Sequence, residues 1–281
     1  MGRPQWITIV AGIVLVTVIF LFARRIPNKT NGPAPESQIT HSVITIDTIL
    51  TLAKKQLSPE QVVRLNTLEN SISRGDVKAQ QLNVYHLLSH FWADSAGIFE
   101  PYAWYEAEAA RLENSEKTLT FAARLFLENL EADDVIERKK WKALQAKDLF
   151  ERSLKINPAN DSSKVGLGAC YLFGGISSSP MEGILKIKEV ADRDSTNVYA
   201  LMTLARGSLI SEQYDNAIRR LESVHRHDPN NVDAIMMLAE TYERLGDNTN
   251  AIRWYNLSLE HIQNTEAKKA VAHRIEDLKK K

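Results

Sequence analysis

Few side chains in this sequence stand at spacings that could do chemistry. In "HLLSH", His86 and His90 lie four apart, the interval that puts two imidazoles on one helix face as a metal pair. The Glu that follows the first His in a zinc hydrolase motif is absent, and no third ligand accompanies them. "GLG" at Gly166–Gly168 follows no strand and sits inside a helical pattern, which excludes a phosphate-cradling loop. Cys170 is the lone cysteine, so no intrachain disulfide can form. It reads as a small apolar core residue. His225 and His227 close a helical segment, where imidazoles act as a C-terminal cap. Glu128, Glu131, Asp133 and Asp134 surround a helix junction, and the expectation is a solvated acidic face. Nowhere do a nucleophile, a base and an orienting group assemble. The sequence predicts no enzyme, no catalytic residue, no metal and no cofactor.

The elements that carry these residues are more informative. "VDAIMMLAETYERLGDNTNAIRWYNLSLE" holds two apolar-striped segments joined by a Gly-Asp-Asn turn. Its upstream neighbour repeats it at a shift of about 34 residues. Leu204 falls on Leu238, Ala205 on Ala239, Ala217 on Ala251, Ile218 on Ile252 and Leu221 on Tyr255. A third copy has Leu167, Gly168 and Tyr171 in the first segment. Gly183 stands in the second, after a local insertion at "FGGISSSP". A fainter second helix runs through Ala146, Phe150, Leu154 and Pro158. Small residues at recurring positions let paired helix backbones approach closely, and larger side chains would push them apart.

Small residues at the helix crossing, apolar residues around them and a Pro after the second helix resemble the tetratricopeptide repeat, most closely over Asp161–Gln263. The resemblance departs at Gln263, where Pro is usual, and upstream of Asp161, where a clean first-helix signature is missing. It implies an all-α chain, a right-handed α-solenoid of helix pairs. Three units are expected at 161–197, 198–231 and 232–263, after a helical region of degenerate pairs at 46–158. The terminal stretch 264–281 places Ala267, Val271, Ile275 and Leu278 on one face and predicts a capping helix, because an array of pairs leaves its last apolar face bare.

The start of the chain differs in kind. Trp6–Ala23 is free of charge, bounded by Arg3 and by Arg24-Arg25, and about 18 helical residues just span a hydrocarbon core. Leu21 and the two arginines make a poor cleavage site, so residues 1–25 predict a tail and a single transmembrane helix. The Lys and Arg count alone favours a cytoplasmic C-terminal part. Bacterial repeat proteins that this layout resembles are inner-membrane anchors with their repeats outside the cytoplasm, and that is the orientation adopted. Residues 26–45, rich in Pro, Asn, Ser and Thr, predict a flexible linker. Helical signals begin at Ile46, Ile49, Leu50 and Ala53 and restart at "SPEQ", where Ser58, Pro59 and Gln61 have the pattern of a capping box.

Composition limits the partners. The 281 residues hold 35 Lys+Arg and 35 Asp+Glu, a formal net charge of zero, and lack the basic excess that a phosphate backbone requires. Nucleic acid is therefore not expected, and neither is a small-molecule substrate. The resemblance instead implies a protein or peptide segment held in a groove lined by first helices. In this register the lining is Val165, Ala169, Leu172 and Phe173, then Tyr199, Met202, Thr203 and Arg206, then Met236, Met237, Glu240 and Glu243. The core of the expected site is Phe173, Tyr199, Met202, Thr203, Arg206, Met236, Met237 and Glu240. Met202, Arg206, Met236 and Glu240 stand where carboxylate-gripping domains resemble one another in Lys and Asn, which argues against that class. The function expected is a membrane-tethered interaction scaffold or chaperone-like adaptor. An alternative is an accessory protein for a membrane-bound enzymatic assembly such as cytochrome c maturation.

Overall fold

The computed structural model describes residues 44–72, 78–177 and 179–280. The anchor expected at Trp6–Ala23 and most of the 26–45 linker lie outside the described residues. Among the described residues no helix is long and apolar enough to cross a membrane, and every regular element is helical. The chain runs through α1 (Ile46–Lys54), α2 (Pro59–Ile72), α3 (Lys78–His90) and a π-helical turn (Phe91–Ala96). These are followed by α4 (Phe99–Glu113), α5 (Glu116–Glu128), α6 (Ile136–Ile156), α7 (Asp161–Phe173) and α8 (Met181–Arg193). The last five are α9 (Val198–Ile210), α10 (Tyr214–His227), α11 (Val232–Arg244), α12 (Asn248–His261) and α13 (Thr265–Lys279). Sequential neighbours pack together, α3 on α4, α5 on α6, α7 on α8, α9 on α10 and α11 on α12, with α13 against α12.

Helix starts follow local chemistry. Asn160, Asn197, Asn231 and Asn264 precede α7, α9, α11 and α13. Each side-chain oxygen accepts the backbone N–H three residues on, at 2.8–3.0 Å, which satisfies a donor that the helix leaves bare. The last three caps fall 34 and 33 residues apart, so α13 occupies the register of a further first helix. At α2 the capping box forms reciprocally. Ser58 N–H donates to Gln61 Oε1 (2.8 Å) and Gln61 N–H to Ser58 Oγ (3.3 Å).

The pairs close on small residues. Ala205, Ala217, Ala239 and Ala251 are wholly buried. A Cβ placed on Gly168 would lie 2.5 Å from Ile187 Cγ1 and 2.7 Å from the Gly183 carbonyl, so α7 and α8 touch backbone to backbone. Leu201, Leu221, Leu238, Trp254 and Tyr255 fill the core between α9 and α13, and Val271, Ile275 and Leu278 of α13 complete it. Ala267, expected on the same face, is exposed. Around α4–α7 the core is larger in side chain, with Phe126 edge-on to Trp141 (5.4 Å, 81°) and Phe150 beneath Gly166.

One acidic cluster departs from expectation. Asp133 does not solvate the α5–α6 junction. Its side chain is 1% exposed and accepts from Lys142 Nζ (2.6 Å), Arg138 (2.6 and 2.7 Å) and Val135 N–H (3.0 Å). Lys142, itself 2% exposed, also reaches Asn129 Oδ1 (2.6 Å) and Glu100 Oε1 (2.9 Å). Burial pushes the Asp133 carboxyl up, but hydrogen bonds from Arg138, Lys142 and Val135 outweigh it and hold the group at about 2.

Candidate functional site

Three first helices, α5, α7 and α9, leave a hollow of about 300 Å³ between them. Its small floor residues come from α7 (Ala169) and α9 (Thr203), where crowding at the helix crossings keeps side chains short. Thr203 Oγ1 donates to the Tyr199 carbonyl at 2.7 Å, which spends its polar capacity on its own helix and leaves the methyl inward. Leu127, Phe173 and Tyr199 form apolar walls, and Arg124, Glu128, Glu131, Ala132 and Arg206 form the rim. Burial pushes the Tyr199 phenol up to about 12, so it stays neutral. The Arg124 guanidinium lies 5.6 Å from the Tyr199 ring centroid, a cation–π contact that holds the α5 rim against α9.

The rim charges are paired with each other. Arg124 contacts Glu128 at 3.2 Å along α5, and Arg206 reaches Glu131 at 3.6 Å across the mouth. All four side chains are between 44% and 63% exposed, where such pairs exchange readily with outside partners. The hollow has no nucleophile activated by a base. It offers apolar burial with neutral, switchable charge around it.

The expected lining residues divide among different places. Phe173, Tyr199, Thr203 and Arg206 line the hollow together, with Ala169 beside them. Met202 lies in the core against the α10–α12 side chains, and Met236 and Met237 are half-buried on the same core. Glu240 is exposed on α11 and lines no part of the hollow. Val165 is wholly buried with Ile187 and Leu204, and Leu172 is half-buried on that cluster and fills the space above Gly207. Glu243 accepts from Arg274 of α13 and from the Tyr255 hydroxyl (2.9 Å), which latches the terminal helix down. The residues absent from the sequence-based lining are those of α5 and the turn after it. Their signal was available: Lys117, Phe121, Arg124 and Glu128 recur at intervals of four, three and four, and all are exposed on one helix face.

The remaining chemical candidates disperse. His86 Nδ1 is 3.8 Å from Glu106, and His90 pairs with Asp94 at 3.2 Å. Among the described residues no three His, Cys, Asp or Glu side chains gather as metal ligands. Cys170 is wholly buried, and burial pushes its thiol well above the ordinary range. His225 does not cap α10; its ring stands edge-on to Trp254 at 5.1 Å.

Residues 208–273, covering the end of α9 through most of α13, match the family model described as tetratricopeptide repeat. Over these residues the chain is similar to the tetratricopeptide repeat family. Solved structures that it resembles include MamA, at 14% identity and TM-score 0.44, covering 67% of this chain and 93% of that one. MamA 41-end from Desulfovibrio magneticus RS-1 matches at 20% identity and TM-score 0.43, covering 66% and 96%. YrrB, titled a TPR protein with an unusual peptide-binding site, matches at 15% identity and TM-score 0.42, covering 73% and 97%. No curated protein sequence matches the chain. Every residue lining the hollow precedes the matched residues, and one of its walls is built by the α5–α6 pair.

Proposed function

We propose that this tetratricopeptide chain is a membrane-tethered interaction scaffold that holds a segment of a partner protein in the α5–α7–α9 hollow. The observation that carries the reading is the hollow itself, with apolar walls from Leu127, Phe173 and Tyr199 under a rim of mutually paired charges. Such a surface gains from burying an apolar side chain, and the rim can re-pair with the partner without stranding a charge. Tethering rests on the uncharged run Trp6–Ala23 and its arginine flanks, and the orientation, with the repeats outside the cytoplasm at the inner membrane, rests on the layout against the Lys and Arg count.

A photo-crosslinking amino acid placed at Arg206, on the rim, and separately at Arg219, exposed on α10, tests the binding face in cells. Crosslinks to one discrete protein from Arg206 and none from Arg219 support the scaffold reading. The reverse pattern moves the partner to the second-helix side and sinks this site. Tethering is checked by whether the intact chain stays with membranes through carbonate extraction, and release into the soluble fraction overturns it.

A further inference from the structure

A second depression continues the first. It encloses about 380 Å³ and is lined by Lys117, Thr120, Phe121 and Leu125, together with Arg124 and Glu128, which it shares with the first. Phe121 is 54% exposed at its centre, a large aromatic ring that the fold itself leaves uncovered. The Arg124–Glu128 pair therefore stands as a bar between two apolar hollows on one face of α5. Along α5, Phe121 of one hollow and Leu127 of the other stand six residues apart, a rise of about 9 Å. A compact ligand would fill one hollow and leave the other empty. Only an elongated one spans the bar.

The rim charge has a direction. Towards the start of α5 it is basic, with Lys117 and Arg124, and towards its end it is acidic, with Glu128 and Glu131, the latter already shared with Arg206. A uniformly charged segment would meet repulsion at one end, and like-charge contacts penalise wrong partners strongly. We infer that the occupant is a peptide segment presenting two bulky apolar side chains about 10 Å apart, one against Phe121 and one in the Phe173–Tyr199 hollow, with an acidic residue near Lys117 and a basic residue near Glu128 and Glu131. This rests on the reading of the groove as the binding site. Residues i and i+7 of a helix, or i and i+3 of polyproline II, meet that spacing at about 10 Å.

The test is selection of a phage-displayed random peptide library, about 16 residues long, on the immobilised full chain. Enriched peptides are then measured against Phe121→Ser, which removes one apolar contact, and Ala132→Trp, which fills the other hollow from an exposed position. Both substitutions are at the surface, and unchanged melting confirms that the fold survives. The expected result is a shared pair of apolar residues at one of the two spacings, acidic and basic residues on opposite sides of it, and a loss of about tenfold or more in affinity on each variant. Peptides weakened by only one variant, or carrying charge of a single sign, overturn the two-anchor occupant while leaving the groove as a binding site. Peptides indifferent to both variants, or no enrichment at all, overturn the groove reading and this inference with it.

Discussion

The two halves of the described chain hold their helices together by different means. From α7 onward the pairs close on Gly168, Gly183, Ala205, Ala217, Ala239 and Ala251, and each first helix starts at an asparagine cap. Before α7 buried alanines such as Ala107, Ala123 and Ala146 stand among large rings, Trp104, Phe126, Trp141 and Phe150, and a lysine is buried in a shell of oxygen acceptors. The later half repeats one local solution, so its parts are interchangeable in kind. The earlier half relies on contacts particular to their place, among them a cluster in which Glu100 of α4, Asn129 and Asp133 of the α5–α6 junction and Lys142 of α6 depend on one another. The hollow lies where the two styles meet, with α5 supplied by the irregular half and α7 and α9 by the regular one.

If that contrast is right, the largest single-residue loss lies in the irregular half. Lys142→Ala removes the buried cation that Asp133 and Glu100 share and leaves both with Arg138 alone, and breaking such a cluster by removing one member costs up to about 3–5 kcal/mol. Urea unfolding of the variant measures it. A loss below about 1 kcal/mol would mean that water enters the cluster and that Lys142 is solvated, as surface pairs are. The cluster also predicts acid sensitivity. Asp133 titrates at about 2 when folded, below its ordinary 3.8. A depressed carboxyl contributes stability that is fully present above the unfolded value and is lost as pH falls through the folded one. The loss should therefore run from about pH 4 to about pH 2, and Asp133→Asn should flatten that part of the stability profile.

The regular half should lose less at any one joint. Gly168→Ala puts a methyl into Ile187 and the Gly183 carbonyl, and overpacking of this kind costs about 1–3 kcal/mol. The comparison sharpens if Gly207→Ala, which meets only the end of Leu172, costs clearly less by thermal melting. Equal shifts for the two would mean that α7 and α8 part easily, and that the close approach is not what sets their spacing. Below this comes Asn231→Ala, which removes the cap on α11 and should cost about 1 kcal/mol.

What the sequence revealed follows the same division. The helix pairs, the small residues at their crossings and the capping box at Ser58 were legible because each rests on residues a few positions apart. Half of the hollow was legible too, since Tyr199, Thr203 and Arg206 follow from the register of α9. The side chain of Met202 was not, because which flank of a first helix meets the next pair depends on the crossing angle, and that angle leaves no trace in local spacing. Arg124 and Phe121 were missed because the register was set from the copies after Asp161, although Ala123 stands eight residues after the Ser115 cap, as Ala205 does after Asn197. Asp133 was misjudged because its burial depends on Lys142, nine residues on, whose other carboxylate, Glu100, stands 33 residues before Asp133, and burial of a charge is decided by such groups together.

The smallest effect expected has the opposite sign and compares two adjacent turns. Gly246 joins α11 to α12 at φ +75°, a conformation that glycine adopts freely. The equivalent position between α9 and α10, 34 residues earlier, is Glu212, held at φ +56°. An L side chain in the left-handed region crowds its own carbonyl at a cost of about 1 kcal/mol, and Glu212 is exposed, where burial offsets little of it. Glu212→Gly should therefore stabilise the chain by up to about 1 kcal/mol, reduced by the greater freedom that glycine gives the unfolded state. Glu212→Ala keeps the Cβ and should be close to neutral. The two variants separate strain from charge, since both remove the carboxylate and only one relieves the backbone. If alanine stabilises as much as glycine, the carboxylate beside Asp215 is the burden, and the two turns are equivalent in backbone after all.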